Sequence, residues 1–181
     1  YGNRTHGTIE EMHHELGRVV NETVARKGKV IIPAFAVGRT QEILYSLSIL
    51  HREGKLPRIP VFIDSPLAAN VTSVFRLHPD CFDAETRAFV DAHGEAFSWG
   101  DVHFVASREE SIRLNGLAGP AIIISASGMC EAGRVLHHLR NNVEDERNTI
   151  VVVGFMAKHT LGRRIVERQP RIRILGVERE L

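Results

Sequence analysis

The chain is poor in cysteine, poor in aromatic residues and nearly without net charge, and each shortage excludes something. Cys81 and Cys130 are its two cysteines. They lie far apart without a paired-thiolate spacing, so two ordinary thiols in a reducing compartment are expected rather than a disulfide framework. No apolar run approaches the ~20 residues that span a bilayer, and no signal peptide opens the chain. The reading is a soluble, cytoplasmic protein with no membrane partner. Lys and Arg total 23 against 22 acidic residues, so any attraction for nucleic acid must come from local clustering. Three catalytic signatures are missing: His-Glu-x-x-His, Gly-x-Ser-x-Gly, and Gly-x-Gly-x-x-Gly after the first strand. Ten histidines invite a metal reading, but His13-His14 and His137-His138 are adjacent on helices and diverge, unlike ligands a turn apart. A complete metal centre within this segment is not expected.

What is present is a recurring local pattern. Four β-branched apolar runs end in small-residue loops that open helices. The loops are Ala34-Phe35-Ala36-Val37-Gly38-Arg39, Ser65-Pro66-Leu67, Ala126-Ser127-Gly128-Met129 through Gly133-Arg134, and Gly154-Phe155 through His159-Thr160-Leu161-Gly162-Arg163. All but the second carry a nearby arginine. In a parallel sheet such loops gather along one edge, where helix N-termini and backbone N–H groups favour anions.

At 181 residues and 43% hydrophobic, the chain suffices for one well-buried core and is short for two full domains. Thr8 and Glu11 form a capping-box pattern, after which Ile9, Met12, Leu16, Val20 and Val24 recur at helical spacing up to Gly28. Strands are expected at 29–33, 58–64, 102–106, 121–125, 149–153 and 171–177, with helices at 39–53, 66–77, 84–92, 109–117, 134–141 and 159–167. Strands alternating with amphipathic helices imply right-handed crossovers and an α/β, Rossmann-like, mainly parallel sheet of about six strands with helices on both faces.

Several loop residues carry two readings. The run from Ser125 to Arg134 offers hydroxyls, a flexible glycine and a guanidinium suited to an anionic oxygen, or it is a turn with an N-cap. Arg39 contacts an anion or pairs with Glu42 one turn later. Asp64 ends its strand like a catalytic carboxylate, yet Asp64-Ser65-Pro66 also caps a helix. For Thr160 and Arg163, a cap plus an exposed charge competes with substrate contact.

Taken together, Tyr1-Gly2-Asn3-Arg4-Thr5-His6, the run from Ile32 to Glu42, Asp64-Ser65-Pro66-Leu67-Ala68, Ser125-Ala126-Ser127-Gly128-Met129 through Gly133-Arg134, and Gly154-Phe155 through Thr160-Leu161 resemble the β-CASP module of metallo-β-lactamase-fold RNA-processing nucleases. This family contains ribonuclease J and the endonuclease that cleaves pre-mRNA 3′ ends. Lys158-His159 departs from the acidic-Gly pair that precedes Thr-Leu in many members, which leaves the role of His159 open.

The resemblance implies that residues 1–181 are a β-CASP domain excised from a longer protein. It implies a clamp over the cleft of a metallo-β-lactamase domain that carries two zinc ions, with RNA as substrate and hydrolysis of a phosphodiester as the parent reaction. No cofactor and no catalytic residue are then expected in this segment. The residues expected to hold the RNA phosphates are Arg4, His6, Arg39, Ser65, Ser127, Gly128, Arg134, Thr160 and Arg163. Expected partners are RNA, the metallo-β-lactamase domain of the same chain and, for the parent, a second copy in a homodimer. The alternatives are a non-catalytic scaffold from a metal-ligand-deficient relative and a nucleotide-binding module.

Overall fold

The computed structural model describes residues 7–181. In chain order it contains α1 (Ile9–Ala25), β1 (Lys29–Pro33), α2 (Arg39–Arg52), β2 (Val61–Asp64), α3 (Pro66–Leu77), a 3-10 turn (Pro79–Cys81), α4 (Ala84–His93), β3 (Val102–Phe104) and α5 (Arg108–Leu114). These are followed by β4 (Ala121–Ser125), α6 (Val135–Asn142), β5 (Thr149–Ile150), α7 (Leu161–Val166), β6 (Arg171–Ile174) and β7 (Val177–Glu180).

Local chemistry sets the boundaries. The Glu11 N–H donates to Thr8 Oγ1 at 3.1 Å and the Thr8 N–H donates to Glu11 Oε2 at 2.8 Å, the reciprocal bonds of a capping box. Pro66 occupies the first turn of α3, where its missing N–H would have had no intrahelical acceptor.

Strands β1 to β5 form one parallel sheet in the order β3-β2-β4-β1-β5. β4 is central, pairing Ile122–Ile124 with Val30–Ile32 of β1 and with Val61–Ile63 of β2. A strand covered on both faces needs a continuous apolar run rather than alternation, and all five residues of β4 are buried. On one face Val30, Ile32, Ile63, Ile122 and Ile124 pack with Val20 of α1 and Leu44 and Leu47 of α2. On the other, Ile31 packs with Val135 and Leu139 of α6, Leu161 and Ile165 of α7, and Ile172 and Ile174 of β6. Each such fully buried side chain contributes about 1.5–3 kcal/mol relative to exposure.

The expected sixth sheet strand is corrected. Residues 171–174 pair antiparallel with Val177–Glu180 in a separate two-stranded hairpin, with Ile174 opposite Val177 and Arg171 opposite Glu180. The cause is the side-chain alternation: Ile172 and Ile174 are buried while Arg171 and Arg173 are exposed. Such a strand has one apolar face and suits a hairpin laid on α6 and α7, not a layer between helices. β5 is also shorter than expected, because pairing with Val30 and Ile31 ends after Ile150 and the chain then leaves the sheet. Among the described residues, no helix is long and apolar enough to cross a membrane.

Candidate nucleic-acid interface

Because the five sheet strands are parallel, the loops after β1, β2, β4 and β5 leave from one edge, and specific contacts join them. The Ala34 N–H donates to Ser125 O at 3.0 Å and the Val151 N–H to Ile31 O at 2.9 Å. Gly128 lies so close to the loop after β1 that an added Cβ would stand 2.8 Å from the Phe35 ring and 3.0 Å from the Phe35 nitrogen. Only a residue without a side chain permits that approach. From the same loop, the Met129 carbonyl accepts the Gly162 N–H at 3.1 Å and Glu131 Oε1 accepts the Leu161 N–H. The 126–134 loop is therefore a hub that touches the loops after β1 and β5.

Ser127 shapes that hub from within. Its hydroxyl accepts the N–H groups of Glu131 (3.2 Å) and Ala132 (3.3 Å). Gly133, at φ +83°, would drive a Cβ into the Ala126 carbonyl, so a left-handed residue without a side chain is required there. Cys130 is buried beside them, and burial, with Glu131 adding to it, pushes its thiol up to about 12. A thiol so protonated is not a nucleophile at neutral pH.

Beneath the loop sits a buried ionic cluster centred on Asp64, which is fully buried at the end of β2. Its Oδ1 accepts from Arg134 Nη1 at 2.7 Å. Its Oδ2 accepts from Ser111 Oγ of α5 at 2.5 Å and lies 2.6 Å from His138 Nε2 of α6. Arg134 also donates to the carbonyls of Val105 (3.3 Å) and Ala106 (3.2 Å), binding the end of β3 to the same knot. Burial pushes the Asp64 carboxyl upward, but the hydrogen bonds from His138, Ser111 and Arg134 outweigh it and hold the group below its ordinary value. The cap expected at Asp64-Ser65-Pro66 forms, with Ser65 rather than Asp64 accepting the Ala68 N–H at 3.2 Å. Asp64 itself is sealed from solvent rather than presented as a catalytic carboxylate.

The remaining expected residues divide by location. Ser65 is buried in its cap. Arg39, at the start of α2, donates to Glu42 Oε2 at 2.6 Å, and Arg163 donates to Glu167 Oε1 at 2.6 Å. Thr160 caps α7, accepting the Arg163 N–H at 3.1 Å and donating to Ala157 O at 2.7 Å. Ser127, Gly128 and Arg134 are brought together in one loop. Arg4 and His6 lie outside the described residues.

Sequence reasoning missed Ser111, His138 and Glu131. A signal existed for His138: residues 135, 138, 139 and 142 follow the i, i+3, i+4, i+7 spacing of a buried face, and all four are buried. Among the described residues, no three His, Cys, Asp or Glu side chains come together as a metal-holding group.

Residues 40–165 match the Beta-Casp domain family. Ribonuclease TTHA0252 of Thermus thermophilus is 38% identical over 179 residues, covering 98% of this chain and 41% of its own length. The transcription termination factor FttA of a Lokiarchaeum species is 35% identical, covering 87% of this chain and 24% of its own. An RNase J-like protein of Methanocaldococcus jannaschii is 33% identical, covering 86% and 35%. The chain spans less than half the length of these curated relatives. With the family match extending over most of its length, the chain belongs to the Beta-Casp domain family.

Proposed function

We propose that this chain is the substrate clamp of a metal-dependent ribonuclease, holding RNA by its sugar–phosphate backbone while a metallo-β-lactamase domain of the same parent chain hydrolyses the phosphodiester. The observation that carries this reading is the 38% identity, over 98% of this chain and 41% of the relative's length, to a protein named as a ribonuclease. The geometry supports it: donor-bearing loops converge on one sheet edge around Arg134. Phosphate contacts of this kind fix position and register without reading sequence.

In this reading the two zinc ions reside in the metallo-β-lactamase domain, and the chain contributes Arg134, Ser127 and the backbone of the 126–134 loop to the walls of the cleft. The RNA-processing setting is cytoplasmic, in keeping with two free cysteines.

The test uses the full-length parent and a short single-stranded RNA. Cleavage is expected, with loss on chelation and recovery on adding zinc. Arg134→Ala is expected to weaken RNA binding, with the slope of log affinity against log salt reduced by about one. Failure of the intact, zinc-loaded protein to cleave RNA overturns the reading.

A further inference from the structure

Arg134 differs in kind from the other two arginines at the edge. The side chains of Arg39 and Arg163 are 45% and 42% exposed, each folded onto a carboxylate of its own helix. That of Arg134 is 24% exposed and faces a fully buried carboxylate. Nη1 donates to Asp64 and Val105, and Nη2 donates once, to Ala106. A guanidinium carries five N–H donors. The Nε–H and the second Nη2–H therefore have no acceptor among the described residues.

The support behind Asp64 is equally specific. Its second oxygen faces Ser111 and His138, and His138 is buried completely with no hydrogen-bond partner at Nδ1 among the described residues. With Nε2 donating to the carboxylate, a neutral imidazole leaves only a lone pair at Nδ1, whereas a proton there would be buried without an acceptor. None of the three supporting side chains reaches the surface of the edge, so their chemistry acts through the arginine.

We propose that Asp64, Ser111 and His138 are positioning residues that hold the Arg134 guanidinium with its Nε–H and free Nη2–H presented to a phosphate oxygen of the bound RNA. This rests on the clamp reading above. The physical gain is preorganisation: a tethered arginine has already lost the rotamer freedom that a free one gives up on binding.

The experiment measures binding of a fluorescent single-stranded RNA to the full-length protein under chelation, over a salt series, with thermal unfolding recorded for every variant. Arg134→Ala is expected to weaken binding about tenfold. Ser111→Ala and His138→Gln are each expected to weaken it several-fold although the arginine is still present. Neither is expected to weaken it further in the Arg134→Ala background, because both act through that one side chain. Additive losses in the double variants would overturn the proposal, since they would mark a general structural role. Unchanged affinity in both single variants would overturn it as well. Should His138→Gln fail to fold, Ser111→Ala carries the same double-variant comparison from the rim of the cluster. Wild-type protein that neither binds nor cleaves RNA defeats the clamp reading itself, whereas RNA binding indifferent to Arg134→Ala defeats only the positioning role.

Discussion

Asp64 stays ionised without water because three donors converge on its two oxygens, and that convergence makes it sensitive to both substitution and acid. Replacing it by asparagine leaves the Arg134 charge without its counter-ion, at a cost of about 3 kcal/mol. Because its folded-state pKa lies below the ordinary value, its contribution is present above the unfolded carboxylate pKa, about 3.9, and is lost as pH falls through the lower folded value. The stability gap between wild type and Asp64→Asn should therefore be full at pH 6 and shrink below about pH 4, as read from melting temperatures. A gap independent of pH would show that the carboxylate charge is not what stabilises. His159 makes the opposite case, a residue at odds with its backbone. It sits at φ 71°, where an L side chain is strained and glycine is not. A glycine would relieve that strain, and His159→Gly should raise stability by a few tenths to about 1 kcal/mol. A loss of stability in that variant would assign the imidazole a contact that outweighs the strain. The convergence on Asp64 was not legible in the sequence. A terminal Asp next to Ser-Pro reads as a cap, and only the fold brings Ser111, 47 residues further on, and His138, 74 residues further on, to its side.

At the scale of the element, α7 is the most dependent on its neighbours. Six residues are too few for a helix to persist alone, and its first turn is held by Thr160 from within and by Glu131 from the 126–134 loop. Thr160→Ala should cost about 1 kcal/mol, seen as faster amide exchange across 161–164 with little change elsewhere. If Thr160 instead serves mainly as a phosphate contact, RNA affinity will fall while exchange stays unchanged. The continuous apolar run that identifies buried parallel strands was plain in the isoleucines of β1 and β4, and the Thr8 capping box and the proline at position 66 fixed two helix starts. The hairpin was legible only in part. Arg171-Ile172-Arg173-Ile174 shows a period of two and so predicts a strand, but the one-sided pattern also argues against a place inside a sheet covered on both faces. That second inference settles which sheet the strand joins, and it depends on knowing that α6 and α7 offer an apolar surface to receive it.

Over the whole molecule, charge and fold point to a divided task. With 23 basic against 22 acidic residues, the chain has no long-range field to concentrate a polyanion, so affinity must come from short-range contacts along one edge. Those contacts are donors rather than acids, bases or ligands: the buried thiol is protonated, the buried carboxylate is occupied, and the described histidines form no metal group. In the proposed division such a surface would hold a phosphate while the other domain supplies the activated water. Exposed apolar side chains also lie at the same edge, Phe35 and Val37 after β1 and Leu67 at the start of α3. The segment 1–181 alone should therefore bind single-stranded RNA weakly, with affinity that falls as salt rises, and should release no cleavage product on prolonged incubation with zinc. The full-length protein at equal concentration should cleave the same RNA. Turnover by the segment itself, surviving repurification and abolished by Arg134→Ala, would place the hydrolytic chemistry on this sheet edge and end the division between clamp and catalyst.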